Sequence, residues 1–107
     1  MGYGWTRVDK TQGPRNLVFR DGVRRYSQQS FSALQPNWLK LSSNAALDNG
    51  GSCFNDSGAP HFYGGVTSNL TASMSIIVDP NCRSLDKTYR LDTASARDFL
   101  GQFVVLP

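Results

Sequence analysis

Turn signals recur along this chain at short intervals, and they leave room for strands but for almost no helix. Asp21-Gly22, Asn49-Gly50-Gly51, Gly64-Gly65 and Asp79-Pro80-Asn81 each follow a short apolar or β-branched run: Leu17-Val18-Phe19, Leu39-Lys40-Leu41, Phe62-Tyr63 and residues 73–78. Glycine and asparagine supply the positive φ that a reversal needs, proline fixes φ, and the flanking residue types pack well on a pleated surface. The pattern predicts an all-β chain of hairpins closed into a barrel or sandwich. Only the C-terminus reads as helix, with Asp92 or Thr93 as its cap and Ala96, Phe99, Leu100 and Phe103 on one face at helical spacing. Gly101 weakens that helix near its end.

The size agrees with one domain over residues 1–107, since 39% hydrophobic and 18% charged residues can bury one modest core. No run approaches the ~18 apolar residues of a membrane span, and Met1-Gly2-Tyr3-Gly4-Trp5 has neither the charged nor the apolar part of a signal peptide. The net charge of +3 gathers partly in Arg20, Arg24 and Arg25 around Asp21-Gly22. No aromatic residues interleave with these arginines, so they read as a solvated hairpin and not as a nucleic-acid surface. Cys53 and Cys82 are the only cysteines. Two thiols in a small domain serve as metal ligands, as free core residues or as a disulfide, and one histidine without a Cys-x-x-Cys pair is a poor ligand set for a metal. Neither a metal nor a cofactor is expected.

The richest segment for chemistry is Gly51-Ser52-Cys53-Phe54-Asn55-Asp56-Ser57-Gly58-Ala59-Pro60, where a serine stands between an acid and a glycine on a loop of small residues. Cys-x-x-Asp-Ser-Gly-x-Pro resembles the active-serine loop of the chymotrypsin/trypsin-like serine peptidases. Gly2-Tyr3-Gly4 is similar to the strand that opens the second barrel of that family. Residues 89–93 with 94–100 resemble its last strand and C-terminal helix, as in bacterial members whose chains end in a similar Gly-x-Phe-Val stretch. Between Thr11 and Asn44 the match is weak.

The resemblance implies a single antiparallel six-stranded Greek-key β-barrel, the second half of the trypsin-like fold, with a short C-terminal helix. It implies that Ser57 is a nucleophile, that the backbone N–H groups of Asn55 and Ser57 form an oxyanion hole, and that Asp56 pairs with the N-terminal amine released on activation. Gly51, Ser52 and Ser75 match the primary specificity pocket, and an uncharged Gly51 at its base disfavours Arg or Lys in the substrate. Cys53 and Cys82 are joined in similar proteins, which implies a disulfide closing a ~30-residue loop, worth roughly 3–4 kcal/mol, and an extracellular, oxidising setting.

The family takes its histidine and aspartate from an N-terminal barrel that precedes the serine. His61, the chain's one histidine, comes four residues after Ser57 and is not that base. The expected function is therefore a serine-type endopeptidase domain that is inactive alone. Its partners would be a peptide or protein substrate and the missing barrel, and the uncovered cleft face would favour self-association. The alternative is a non-catalytic, peptidase-like binding domain. Two departures favour it: the family has glycine where Asn55 and Ala59 stand, at backbone positions a Cβ disfavours, and Ile76-Ile77-Val78 replaces a small residue at the pocket wall. The glycosylation sequons at Asn55 and Asn69 carry no weight, because such triplets arise often by chance.

Overall fold

The computed structural model describes residues 1–7 and 18–107. Strand Thr6–Arg7 (β1) pairs antiparallel with Val18–Phe19 (β2) as a small ribbon, while Leu17, expected to begin the second of these strands, lies outside the described residues. The main sheet is built from Ser30–Leu34 (β3), Trp38–Ser42 (β4), Pro60–Phe62 (β5), Thr71–Val78 (β6) and Leu85–Arg90 (β7). Its order is β3-β4-β7-β6-β5, antiparallel throughout. The runs at 39–41 and 73–78 thus lie in strands as their composition predicts, whereas of Phe62-Tyr63 only Phe62 does, Tyr63 belonging to the turn that follows. β3 has no β-branched residue to announce it, and is held to β4 by a tight reversal in which Gln35 and Trp38 exchange backbone hydrogen bonds of 2.8 and 3.3 Å.

The chain is mostly β, but the six-stranded barrel does not form. Among the described residues the sheet has five strands, and its edges β3 and β5 are not paired with each other. Closure needs a continuous ladder across the seam. β5 is only three residues long, starts with a proline that has no N–H to donate, and shifts register against β6 between His61 and Phe62.

A second reason lies on the inward face. Strand register places Leu39, Leu41, His61, Ser73, Ser75, Asp86 and Thr88 on one side of the sheet. The most deeply buried of these are polar: Ser73, Ser75, Asp86 and Thr88. Among the described residues only Cys53 and Ala96 are buried apolar side chains, so little hydrophobic area favours closure, and a cavity of about 1020 Å³ lies over this face. The polar core is nevertheless well paired. Thr88 Oγ1 lies 2.8 Å from Ser73 Oγ and 3.0 Å from the Leu39 carbonyl, and no buried side-chain polar atom among the described residues lacks a partner.

Helix Ala94–Leu100 (α1) follows the last strand, and its cap is Thr93, whose hydroxyl accepts the Ala96 N–H at 3.3 Å. Ala96 is buried and Leu100 half-buried, but Phe99 and Phe103 stay exposed and pack on each other with ring centroids 5.3 Å apart. Only half of the predicted apolar face is covered. The arginine-rich turn contains an ion pair, Arg25 to Asp21 at 2.6 Å, and this guanidinium holds the Asp21 carboxyl well below the usual carboxylate range. Among the described residues no helix is long and apolar enough to cross a membrane.

Candidate active site

The serine loop, residues 51–60, leaves the short helical turn Ala45–Leu47 and runs into β5. Three anchors hold it. The first is the Cys53–Cys82 disulfide, with Cα atoms 5.1 Å apart, which ties the loop to the β6–β7 connection. The second is β6, where Gly58 donates to the Ser75 carbonyl at 2.8 Å and Ser75 donates to the Ala59 carbonyl at 2.9 Å. The third is the N-terminal segment, through Asp56. Its carboxylate accepts the Gly4 N–H at 2.7 Å and the Cys53 N–H at 3.0 Å. A Cβ at Gly2 or Gly4 would collide with that carboxylate, so glycine is required for this close approach. Trp5 adds a backbone hydrogen bond to the Phe54 carbonyl at 2.9 Å and an edge-on ring contact with Phe54. Residues 2–4, read as an opening strand, thus serve mainly as a brace on Asp56, with one isolated bridge between Gly2 and Arg25.

The loop's backbone explains one sequence departure and removes another. Asn55 takes φ = 70°, the left-handed region that asparagine tolerates better than other residues with a side chain. Ala59 is not among the positive-φ residues, and Gly58 beside it takes φ = 85° instead. The alanine is therefore unstrained. Within the turn, Asp56 donates to the Cys53 carbonyl and Ala59 to the Asp56 carbonyl. Among the described residues the N–H groups of Asn55 and Ser57 have no partner in the chain. Ser57 is exposed on this turn.

The residues expected to form one specificity pocket fall into two places. Ser57, Asn55 and Ser75 line a pocket of about 260 Å³ together with Cys53, Phe54, Ile76, Ile77 and Val78. The isoleucines are half-exposed walls of it and do not fill it. Gly51 and Ser52 instead line the larger cavity. A Cβ on Gly51 would run into Ser43 Oγ and Gln29 Nε2, so its bare backbone makes room for these two side chains.

They belong to a polar cluster that sequence reasoning missed. Asp86 on β7 is fully buried. Its Oδ2 accepts Gln29 Nε2 at 3.1 Å and the Ser52 N–H at 3.0 Å, and its Oδ1 accepts the Ser75 hydroxyl at 3.3 Å. Gln29 also donates to Ser43 Oγ at 3.2 Å. His61 completes the group, with Nε2 at 3.4 Å from Ser52 Oγ and 3.6 Å from Asp86 Oδ2. Burial pushes the His61 pKa down from its ordinary value, against the opposing pull of Asp86 and Asp56. Among the described residues no hydrogen bond joins His61 to Ser57. Two hydroxyls therefore sit in different settings: Ser57 exposed beside two unpaired amides, and Ser52 buried beside an imidazole.

Beyond the disulfide, Asp79 knots the β6–β7 connection. Burial works against its charged form, but N–H groups of Ser84, Leu85, Arg83 and Asn81 donate to it and hold its carboxyl below the usual range. Among the described residues no group of three or more His, Cys, Asp or Glu side chains is placed to hold a metal ion. No family model, curated protein or solved structure matches the chain.

Proposed function

We propose that this chain supplies the nucleophile half of a serine-peptidase site, with Ser57 as nucleophile and the Asn55 and Ser57 amides as oxyanion donors. The reading is supported above all by those two N–H groups, left without partners on a turn where the amides of Cys53, Asp56, Gly58 and Ala59 are used, beside an exposed hydroxyl. In acyl transfer the Ser57 oxygen would attack the carbonyl carbon, and the negative charge developing on the carbonyl oxygen would be taken by the two amides, each worth roughly 3 kcal/mol in well-formed sites. The serine proton needs a base, and among the described residues the one histidine is bonded elsewhere. The base and its orienting carboxylate therefore come from a separate N-terminal barrel, as the resemblance to the trypsin-like family implies, and the chain alone is inert at Ser57. The disulfide fits an oxidising, extracellular setting.

Exogenous imidazole tests this directly. With a fluorophosphonate probe and mass-spectrometric mapping of the adduct, Ser57 is expected to be unlabelled in buffer and labelled when imidazole is added at high concentration. Absence of a Ser57 adduct at every imidazole concentration would leave the alternative, a peptidase-like domain that binds and does not cut.

A further inference from the structure

The Ser52–His61–Asp86 cluster lies outside the Ser57 site, and nothing in the function proposed above uses it. Ser52 is 9% exposed and the His61 side chain 11% exposed, and both line the floor of the 1020 Å³ cavity. Such a volume admits a small organic molecule.

The protonation logic of the cluster is directional. His61 Nε2 is the atom nearest both Ser52 Oγ, at 3.4 Å, and Asp86 Oδ2, at 3.6 Å. With the ring neutral and its proton on Nδ1, the Nε2 lone pair accepts the Ser52 hydroxyl proton while also facing a carboxylate, which is unfavourable. After the proton has moved, Nε2–H stands between the serine oxygen and Asp86, and the carboxylate stabilises the imidazolium. Relative to the Nδ1–H tautomer Asp86 thus favours the product of proton transfer, although it also favours the neutral Nε2–H tautomer, which must shift before Nε2 can accept. Burial works in the opposite sense, disfavouring the imidazolium, and so keeps His61 neutral and able to accept before the step. Gln29 Nε2, the Ser52 N–H and Ser75 Oγ fix the carboxylate, so the arrangement is held without substrate.

We propose that Ser52 is a second nucleophile, activated by His61 over Asp86 and acylated by small activated esters that enter the cavity. In that step the Ser52 proton passes to His61 Nε2, an Oγ–C bond forms at the ester carbonyl, and the ester C–O bond breaks. The leaving alkoxide takes the proton back from His61, and water then hydrolyses the acyl-serine to free acid and Ser52. With a fluorophosphonate the same attack forms an Oγ–P bond and releases fluoride, leaving a stable adduct.

The test is to treat the unmodified chain with a small alkyl fluorophosphonate at pH 7.5, without added imidazole, and to map adducts by fragmentation that separates Ser52 from Ser57. An adduct on Ser52 is expected, indifferent to added imidazole, and its rate of formation falls about 100-fold in His61→Gln. Ser52 unlabelled in the unmodified chain overturns the proposal whether or not any variant folds, and labelling undiminished in a folded His61→Gln protein overturns the role of the imidazole. Imidazole-dependent labelling of Ser57 is read separately in the same spectra, so this inference and the Ser57 reading can fail independently.

Discussion

Asp86 accepts the backbone N–H of Ser52 at 3.0 Å across 34 positions of sequence, and this contact joins the central strand β7 to the loop that carries Ser57. It is the centre of a polar core that stands where small β proteins usually place aliphatic side chains. Removing the carboxylate leaves Gln29, the Ser52 amide and the Ser75 hydroxyl without their acceptor. Asp86→Ala is expected to lower unfolding free energy by about 3–5 kcal/mol. Urea denaturation measures it, and a loss under about 1 kcal/mol would show that water or rearrangement satisfies those donors.

His61 makes the fold acid-sensitive. Its folded pKa lies below its ordinary value because it is buried, so the unfolded chain binds a proton more readily than the folded one. Stability is therefore full above about pH 6.5, falls as pH drops from there toward the lower folded pKa, and levels off below it. Unfolding free energies of the unmodified chain and His61→Gln, measured from pH 8 to pH 5, are expected to show this segment of the pH dependence only in the former. Parallel curves would remove His61 as its source.

The brace on Asp56 is steric as well as polar. Gly4→Ala drives a methyl group into the Asp56 carboxylate, and about 1–3 kcal/mol of stability is expected to be lost. The loss should shrink when Asp56→Ala is combined with it, because the two changes act at one contact. Additive effects would mean that Gly4 matters for another reason.

Reduction of Cys53–Cys82 should lower stability by roughly 3–4 kcal/mol through the freed loop, and thiol titration of the denatured, unreduced protein should find no free thiol. Two reactive thiols would contradict the pairing and weaken the case for an oxidising compartment.

Two features of the serine loop were legible in the sequence because they are local, a small-residue turn and an asparagine able to take left-handed φ. Asp56, read as the partner of a released N-terminal amine, instead accepts the N–H groups of Gly4 and Cys53. The cysteine pair was legible only through family resemblance. Asp86 was hidden by its own strand. In Leu85–Arg90 hydrophobic alternation alone turns Leu85 and Tyr89 inward, whereas the structure buries Asp86 and Thr88, because donors from distant segments meet there. His61 was hidden in another way. Its separation from Ser57 along the chain says nothing of Ser52, which it meets because β5 aims alternate residues at the inward face. Barrel closure was over-read for a related reason, since whether two edges pair depends on strands far apart in sequence and on a proline at the start of one of them.

The most direct measurement of the central claim is peptide hydrolysis by this chain joined behind an N-terminal barrel that carries a histidine and an aspartate. Turnover is expected only in the joined protein, to vanish in Ser57→Ala, and to be faster after Ala, Leu or Phe than after Arg or Lys, since among the described residues no acidic side chain lines the pocket beside Ser57. Turnover that persists in Ser57→Ala, or a folded joined protein in which Ser57 neither cleaves peptide nor takes up a fluorophosphonate, would contradict it.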